Sequence, residues 1–372
     1  MQIDLESMKK KSNYEVYNYM WSDDLRIPGE ISRTYNPKYK RDSDNSYSFE
    51  IPFLSEKYKT ETSSEYLSTA KEISKEDIEA IAEQLINNFK IKEKDIFIDK
   101  FKEACSGSGG EGVRITTLHS SSLCALLFFY KVSDVHPFKY EINGKNVEFN
   151  KVLFEYQNTV IKRKRRNPSN VDVVLTGKDC EGKDIILFLE SKFSEYLSGG
   201  QANIAQDYLN QYPQIYNNPE NKPQKQTFLD KIGFEFKKNK NESFKHKIKI
   251  YNKTEEVYKI GPKKGSTYSV GIKQMISHFI GLENYLEKPY DKRSLPGNAE
   301  IYLGEILFDF SFLKAKKQLN NYSCYYNKLA KELNKLNKNI NVLEEPLNYF
   351  LFKELDFIAP TIRKFYFGEE MQ

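Results

Sequence analysis

Three charged residues lie inside residues 170–193, a stretch that is otherwise typical of two short apolar strands. They are Asp172 in the first strand, and Glu190 and Lys192 at the end of the second. A polar segment around Glu181 predicts the turn between the strands. Pairing that is symmetric about Glu181 would place Asp172 directly opposite Glu190.

Two carboxylates opposed in this way would repel each other. Opposed residues of a hairpin lie about 4.5–5.5 Å apart. In apolar surroundings, such a pair of acids requires a proton, a cation or a metal ion between them. Lys192 shares a strand face with Glu190, because alternate residues of a strand point to the same side. The hairpin therefore indicates chemistry in which Asp172, Glu190 and Lys192 act together.

The composition limits the class of protein. The chain of 372 residues is 39% hydrophobic and 14% aromatic, which is enough for a large core in one or two domains. Its longest apolar run, residues 123–130, is too short to cross a bilayer, and residues 1–6 do not resemble a signal peptide. The four cysteines are isolated, which disfavours disulfides and zinc. We expect a cytoplasmic protein with no membrane partner.

The positive charge is concentrated in two segments. Residues 231–264 hold eleven lysines with interleaved aromatic residues. Such clusters suit the phosphates of a polyanion, although a solubilising surface would explain either segment alone. The other segment directly precedes the hairpin and is an uninterrupted basic run, Lys162, Arg163, Lys164, Arg165 and Arg166.

Hydrophobic periodicity predicts further elements around the hairpin. We divide the chain into an irregular and then helical region (1–105), a core (106–316) with an insertion (194–266), and a C-terminal helical extension (317–372). The predicted elements are a helix over 111–132, a strand over 147–161, the hairpin, a helix from Tyr268, a strand over 301–310 and a helix over 322–340.

Other polar residues could join the site. Glu111 begins the first predicted core helix, where it could reach the hairpin or simply favour the helix dipole. Gln274 and His278 are i, i+4 neighbours on the later helix. Glu155, on the strand before the hairpin, is the substitute acid if the strands align differently.

The order helix, three strands, helix, strand resembles the PD-(D/E)XK nuclease superfamily, which has the restriction-endonuclease-like fold. Glu190-Ser191-Lys192 matches (D/E)-x-K, and Asp172 stands at the family's aspartate, although Asn170-Val171 replaces the family's often-degenerate proline. The resemblance covers residues 111–310 and is nearest to bacterial restriction-endonuclease-like proteins of unassigned specificity. It implies an α/β protein with a mixed sheet, an αβββαβ core and an insertion before the second core helix.

The resemblance also implies an activity. It points to a Mg²⁺-dependent endonuclease that hydrolyses double-stranded DNA, of restriction or genome-defence type and homodimeric, with Mn²⁺ as a substitute metal. Asp172, Glu190 and the Ser191 carbonyl would bind the metal. Lys192 would orient or help to deprotonate the attacking water and offset charge on the phosphate.

Two further roles follow from the resemblance. Glu111 would correspond to the acid on the family's first core helix. Lys273 or Gln274 would correspond to the polar residue on the second core helix, and Gln274 is a candidate nucleic-acid contact.

Three alternatives remain open. The chain could be a nucleic-acid-binding protein that keeps the fold and does not cut, or a nuclease that acts on RNA or branched DNA. Finally, Lys192 and Asp172 could form a structural ion pair in an ordinary α/β protein, although buried ion pairs rarely add stability over apolar residues.

Overall fold

A computed structural model describes most of the chain. The described residues are 38–41, 47–50, 61–62, 75–106, 120–162, 168–193, 195–197, 201–216, 227–237, 257–309 and 316–367. The helices in these segments are α1 (Lys75–Phe89), α2 (Lys94–Ala104), α3 (Ser121–Phe129), α4 (Gln206–Gln211), α5 (Phe228–Lys231), α6 (Ser269–Glu287), α7 (Lys316–Leu336) and α8 (Pro360–Phe367). Glu195–Leu197 and Tyr349–Phe352 are 3₁₀-helices.

The strands belong to three sheets. Seven of them form the main sheet, in the order β12-β11-β7-β6-β5-β4 with β13 beside β11, and two smaller sheets have the orders β1-β2-β3 and β8-β10-β9. The strands are β1 (Lys38–Arg41), β2 (Tyr47–Glu50), β3 (Glu61–Thr62), β4 (Phe138–Ile142), β5 (Lys145–Asn158), β6 (Ser169–Asp179), β7 (Asp184–Lys192), β8 (Ala202–Ala205), β9 (Phe234–Lys237), β10 (Val257–Pro262), β11 (Glu300–Leu307), β12 (Ile340–Val342) and β13 (Leu347–Asn348).

The main sheet is mixed. Strands β4 to β7 pair in an antiparallel way, whereas β11 is parallel to β7, β12 and β13. Helices α3 and α6 lie on opposite faces, because the neighbouring residues Ser191 and Glu190 of β7 contact α3 and α6 respectively. The fold is therefore of the mixed α/β class that the sequence predicts.

The central hairpin has the predicted register. Val173 pairs with Leu189 and Lys178 with Asp184, so the strands are symmetric about residue 181. The turn is set by local chemistry: the Asp179 carboxylate accepts hydrogen bonds from the backbone of the turn, and Gly182 adopts a positive φ of 81°. The register prediction is confirmed over the whole β6–β7 ladder.

Helix α3 is enclosed on all sides. Residues 122–129 are buried, and they are almost all apolar, as expected for a helix without a solvent face. Its Phe128 ring packs against the rings of Tyr349, Phe352 and Tyr366 from the C-terminal region. The C-terminal region therefore holds α3 against β6 and β7.

Several predicted boundaries were wrong. The helix predicted over 111–132 is described only as α3, which begins at Ser121 because the Ser120 hydroxyl caps it by accepting from the Leu123 N–H. The helix predicted over 322–340 ends at Leu336, and Ile340 begins β12. The C-terminal extension thus contributes strands to the main sheet, and the insertion contains a sheet of its own.

Among the described helices, none combines the length and the apolar content that crossing a bilayer requires.

The outer edge of β5 is covered by charged side chains where β4 no longer pairs with it. Arg293, from the loop after α6, donates to the carbonyl oxygens of Phe154 (2.7 Å) and Glu155 (2.9 Å). Glu103 of α2 accepts from the Phe154 N–H at 3.1 Å and from Arg293 at 2.6 Å. Asp291 forms a second ion pair with Arg293. These bonds replace a neighbouring strand.

We expect Arg293→Ala to lower the free energy of unfolding by about 2–4 kcal/mol, because it removes the donor of two strand carbonyls and the ion-pair partner of two partly buried acids. Arg293→Lys keeps the charge but cannot reach all four acceptors, so its loss should be intermediate. Urea unfolding of both variants measures this. Equal stability of Arg293→Ala and the wild type would show that water satisfies the hydrogen-bonding groups at this edge of β5 as well as the arginine does.

Candidate active site

The ladder between β6 and β7 ends at Asp172. Continued by one residue beyond the Val173–Leu189 pair, the register places Asp172 level with Glu190. There the Asp172 Oδ2 accepts from the backbone N–H of Ser191 at 2.7 Å, in place of a backbone carbonyl of β6. The Ser122 hydroxyl of α3 donates a longer bond of 3.3 Å to Oδ1. A carboxylate side chain therefore ends the pairing of the two central strands.

Glu190 is buried among three donors. Its Oε1 accepts from Lys192 Nζ at 2.6 Å and from Gln274 Nε2 at 2.8 Å. Its Oε2 lies 2.7 Å from His278 Nε2, and His278 Nδ1 lies 2.8 Å from the Ser169 hydroxyl. Glu190 and Lys192 are each only 3% exposed. Gln274 and His278 reach the same carboxylate because an i, i+4 spacing puts them on one face of α6.

The Glu190–Lys192 pair is charged. Burial alone would raise the pKa of Glu190, but the charge of Lys192 and the contacts with His278 outweigh it and lower the pKa to about 2. Burial alone would lower the pKa of Lys192, but the Glu190 carboxylate outweighs it, with a smaller effect from Asp172, and raises that pKa. Lys192 is therefore a protonated ammonium at neutral pH.

A third acid lies beside this pair. Glu305 on β11 is in register with Glu190 on β7 and is fully buried. The Tyr322 hydroxyl of α7 lies 2.8 and 2.9 Å from its two carboxylate oxygens. Burial raises the pKa of Glu305 to about 7, although the Lys192 charge and the Tyr322 bonds act in the opposite direction. Lys192 thus has as neighbours one ionised acid, Glu190, and one acid, Glu305, that is only partly ionised at neutral pH.

The two acids of the predicted pair do not share a donor. The Asp172 carboxylate contacts Ser122 on the α3 side of the sheet, whereas Glu190 contacts His278 on the α6 side. Each carboxylate is therefore held by its own donors, and the predicted joint action of the two acids stays a prediction. Lys192 forms its ion pair with Glu190. The structural ion pair between Lys192 and Asp172, one of the alternatives considered above, is not formed among the described residues.

Ser191 lies between the two carboxylates. Its hydroxyl contacts the Ser121 carbonyl at 2.8 Å and the Tyr349 hydroxyl at 2.7 Å. Its N–H points toward β6, and the C=O of a strand residue points to the same side as its N–H. The Ser191 carbonyl is therefore directed toward the end of β6, next to Asp172.

The remaining predicted site residues have different outcomes. Glu155 is level with Asp172 on β5, is buried, and has a left-handed φ of 49°. Lys162 pairs with Glu287 at 2.6 Å on the surface. Glu111 and residues 163–166 lie outside the described part of the chain, so their predicted roles stay predictions.

Sequence reasoning missed several polar groups of the site. Ser169 and Glu305 gave no signal, because one is a serine at a strand start and the other a single acid in an apolar strand. Ser122 lay within the predicted first core helix, but nothing in its spacing pointed to Asp172. His278 was noticed only as a neighbour of Gln274, and that spacing was the usable signal.

Comparisons with protein-family models, with curated proteins and with solved structures found no significant match to this chain.

This end of the β6–β7 hairpin offers the types of oxygen donor that a hard divalent cation prefers, but the described segments contain no cluster of three or more His, Cys, Asp or Glu side chains arranged to hold a metal ion. Two carboxylates and one strand carbonyl, from Asp172, Glu190 and Ser191, come from positions that are adjacent along and across β6 and β7. Mg²⁺ prefers such oxygen donors and keeps several waters. The Asp172 side chain is half-buried, so water molecules can reach its carboxylate.

Proposed function

We propose that this protein is a Mg²⁺-dependent endonuclease that hydrolyses phosphodiester bonds of double-stranded DNA, with Mn²⁺ as a substitute metal. One observation carries the proposal: the Asp172 carboxylate ends the β6–β7 ladder beside Glu190-Ser191-Lys192. An apolar sheet gains no stability from three charged residues at this point, whereas a hydrolytic site requires them.

The order of elements supports the proposal. Helix α3, strands β5, β6 and β7, helix α6 and strand β11 follow one another as αβββαβ, and β11 is the parallel neighbour of β7. Asp172 lies on β6, the second of the three consecutive strands, and Glu190 and Lys192 lie on β7, the third. This is the arrangement implied by the resemblance to the PD-(D/E)XK nucleases, with β4 and the β8-β10-β9 sheet as additions.

Each of these residues would have a distinct role. Asp172, Glu190 and the Ser191 carbonyl would hold the cation. A bound Mg²⁺ would polarise the phosphodiester and acidify a water molecule that it coordinates. Lys192 remains protonated because its pKa is raised, so its contribution is a positive charge next to the reacting phosphate and not general-base catalysis.

A half-buried lysine adds support for a polyanionic substrate. Lys273, one residue before Gln274 on α6, lies with its Nζ 5.5 Å from the centre of the Tyr208 ring. Burial lowers the pKa of Lys273, and no acidic side chain in the described segments forms an ion pair with it. A cation desolvated without an acid is costly, and a substrate phosphate would supply the missing charge.

The decisive test is incubation of the purified full chain with supercoiled plasmid, prepared with and without methylation, in Mg²⁺, in Mn²⁺ and in EDTA. We expect nicked and then linear DNA in either metal and intact plasmid in EDTA. RNA and branched DNA in parallel reactions identify the preferred substrate. Plasmid that stays intact with every metal, while a shift assay still detects binding, would contradict the proposal.

A non-cleaving nucleic-acid-binding protein is the second candidate. It is favoured by one observation, that Glu190 and Lys192 are nearly inaccessible to solvent and form an ion pair with each other. In that case the pair would be structural and DNA would bind through the basic segments alone. Binding that weakens steeply with salt, without cleavage, is its signature.

A further inference from the structure

The carboxylate oxygens of Glu190 are used unequally. Each oxygen of a carboxylate offers two acceptor positions. Oε1 is filled by two donors, Lys192 Nζ and Gln274 Nε2. Oε2 has one partner among the described residues, His278 Nε2 at 2.7 Å. Within the described part of the chain, Oε2 therefore has one donor where Oε1 has two.

His278 is held at both ring nitrogens. The side chain is 2% exposed, and its Nδ1 lies 2.8 Å from the hydroxyl of Ser169, the first residue of β6. Glu190 is ionised and can only accept, so Nε2 must donate to it. The Ser169 hydroxyl can donate to Nδ1 or accept from it, and in either case it fixes the plane of the ring.

This arrangement joins both central strands through α6. Ser169 begins β6, three residues before Asp172, and Glu190 lies near the end of β7. His278 bridges them from one helix, so the separation of the strand ends and the direction of the Glu190 carboxylate are set together. Gln274, one helical turn earlier, holds the other oxygen.

We propose that Ser169 and His278 form a positioning pair that orients Glu190 and leaves its Oε2 as the oxygen that takes the divalent cation. This inference rests on the proposed function, because it concerns the same cation. Neither residue need touch the cation or the DNA. Hydrogen-bond partners of metal-binding side chains commonly contribute 10-fold to 100-fold to metal affinity.

The test measures Mn²⁺ binding to the metal-free full chain by titration calorimetry in the absence of DNA. Ser169→Ala should weaken Mn²⁺ binding by about 10-fold or more, and Ser169→Thr, which keeps a hydroxyl, should restore it. His278→Gln retains a donor for Glu190 but loses the link to Ser169, so it should resemble Ser169→Ala. The matched control is Ser277→Ala, because Ser277 is a buried serine next to His278 that is not a partner of Glu190.

The possible failures are distinguishable. If the wild type and Glu190→Gln bind Mn²⁺ equally or not at all, the proposed function fails. If Glu190→Gln abolishes binding while Ser169→Ala and His278→Gln bind as tightly as the wild type, the positioning role is overturned and the proposed function stands. Urea unfolding of each variant identifies misfolding, and where one of the two does not fold, the other decides.

Discussion

Glu190→Gln and Lys192→Met should each lower the rate of plasmid cleavage by at least about 10²-fold, because the first removes a charged oxygen donor and the second removes the positive charge beside the phosphate. Each should also destabilise the fold by roughly 3–5 kcal/mol, since a buried charge loses its partner. A loss of cleavage in either single variant therefore has two explanations.

The double variant Glu190→Gln/Lys192→Met separates them. Removing both charges together leaves no unpaired ion, so its unfolding free energy should be close to that of the wild type and above that of either single variant. Its cleavage should nevertheless stay as low as in the single variants. Urea unfolding and initial cleavage rates, measured on the same preparations, give both quantities.

A control with a similarly lowered pKa lies at the other end of β11. Glu300 also has a pKa lowered to about 2, because burial is outweighed by its bonds with Lys145 and Lys183 at 2.8 Å each. Glu300→Gln breaks a more exposed ion pair away from the site and should leave cleavage unchanged. Cleavage that survives in the double variant would rule out Glu190 and Lys192 as catalytic groups.

The sequence predicted the hairpin well because its information is local. The turn at Glu181 and the alternation of apolar residues determine the register, and the register alone makes Asp172 and Glu190 level. Strand alternation likewise placed Lys192 on the same face as Glu190. These relations depend on a few neighbouring residues and not on the rest of the chain.

The environment of the site could not be predicted in the same way. Asp172 turns to the α3 side because it captures the Ser191 N–H and the Ser122 hydroxyl, and neither contact has a pattern in the sequence. Glu305 is brought next to Glu190 by the parallel pairing of β11 with β7, two strands that are far apart in the sequence. The left-handed backbone of Glu155 is stabilised by Arg293, far away in the chain. Long-range contacts of this kind leave no periodic signal.

Glu305 should make the metal-free protein less stable as the pH rises. Its pKa is about 7 in the folded protein and 4.5 in the unfolded reference, so between these values the folded state binds more protons. Its contribution to stability is fully present below pH 4.5 and is lost as the pH rises through 7. A shift of this size corresponds to about 3 kcal/mol.

Glu305→Gln should abolish this dependence, because an amide stays neutral and still accepts from Tyr322. At pH 8 the variant should be more stable than the wild type by about 3 kcal/mol, and at pH 4.5 the two should be similar. Urea unfolding in EDTA across this range measures the difference. A difference that does not change with pH would show that Glu305 does not titrate in this window.

Two tyrosines of α7 provide the directional control. The Tyr322 hydroxyl stabilises the ionised form of Glu305, so Tyr322→Phe should raise the pKa of Glu305 further and move the loss of stability to higher pH. The Tyr325 hydroxyl instead donates to the Lys264 carbonyl, so Tyr325→Phe should leave the midpoint unchanged. Glu190 cannot produce the same curve, because its lowered pKa places its own loss of stability in acid, as the pH falls through about 2. A midpoint that moves in Tyr322→Phe and not in Tyr325→Phe would therefore assign the transition to Glu305.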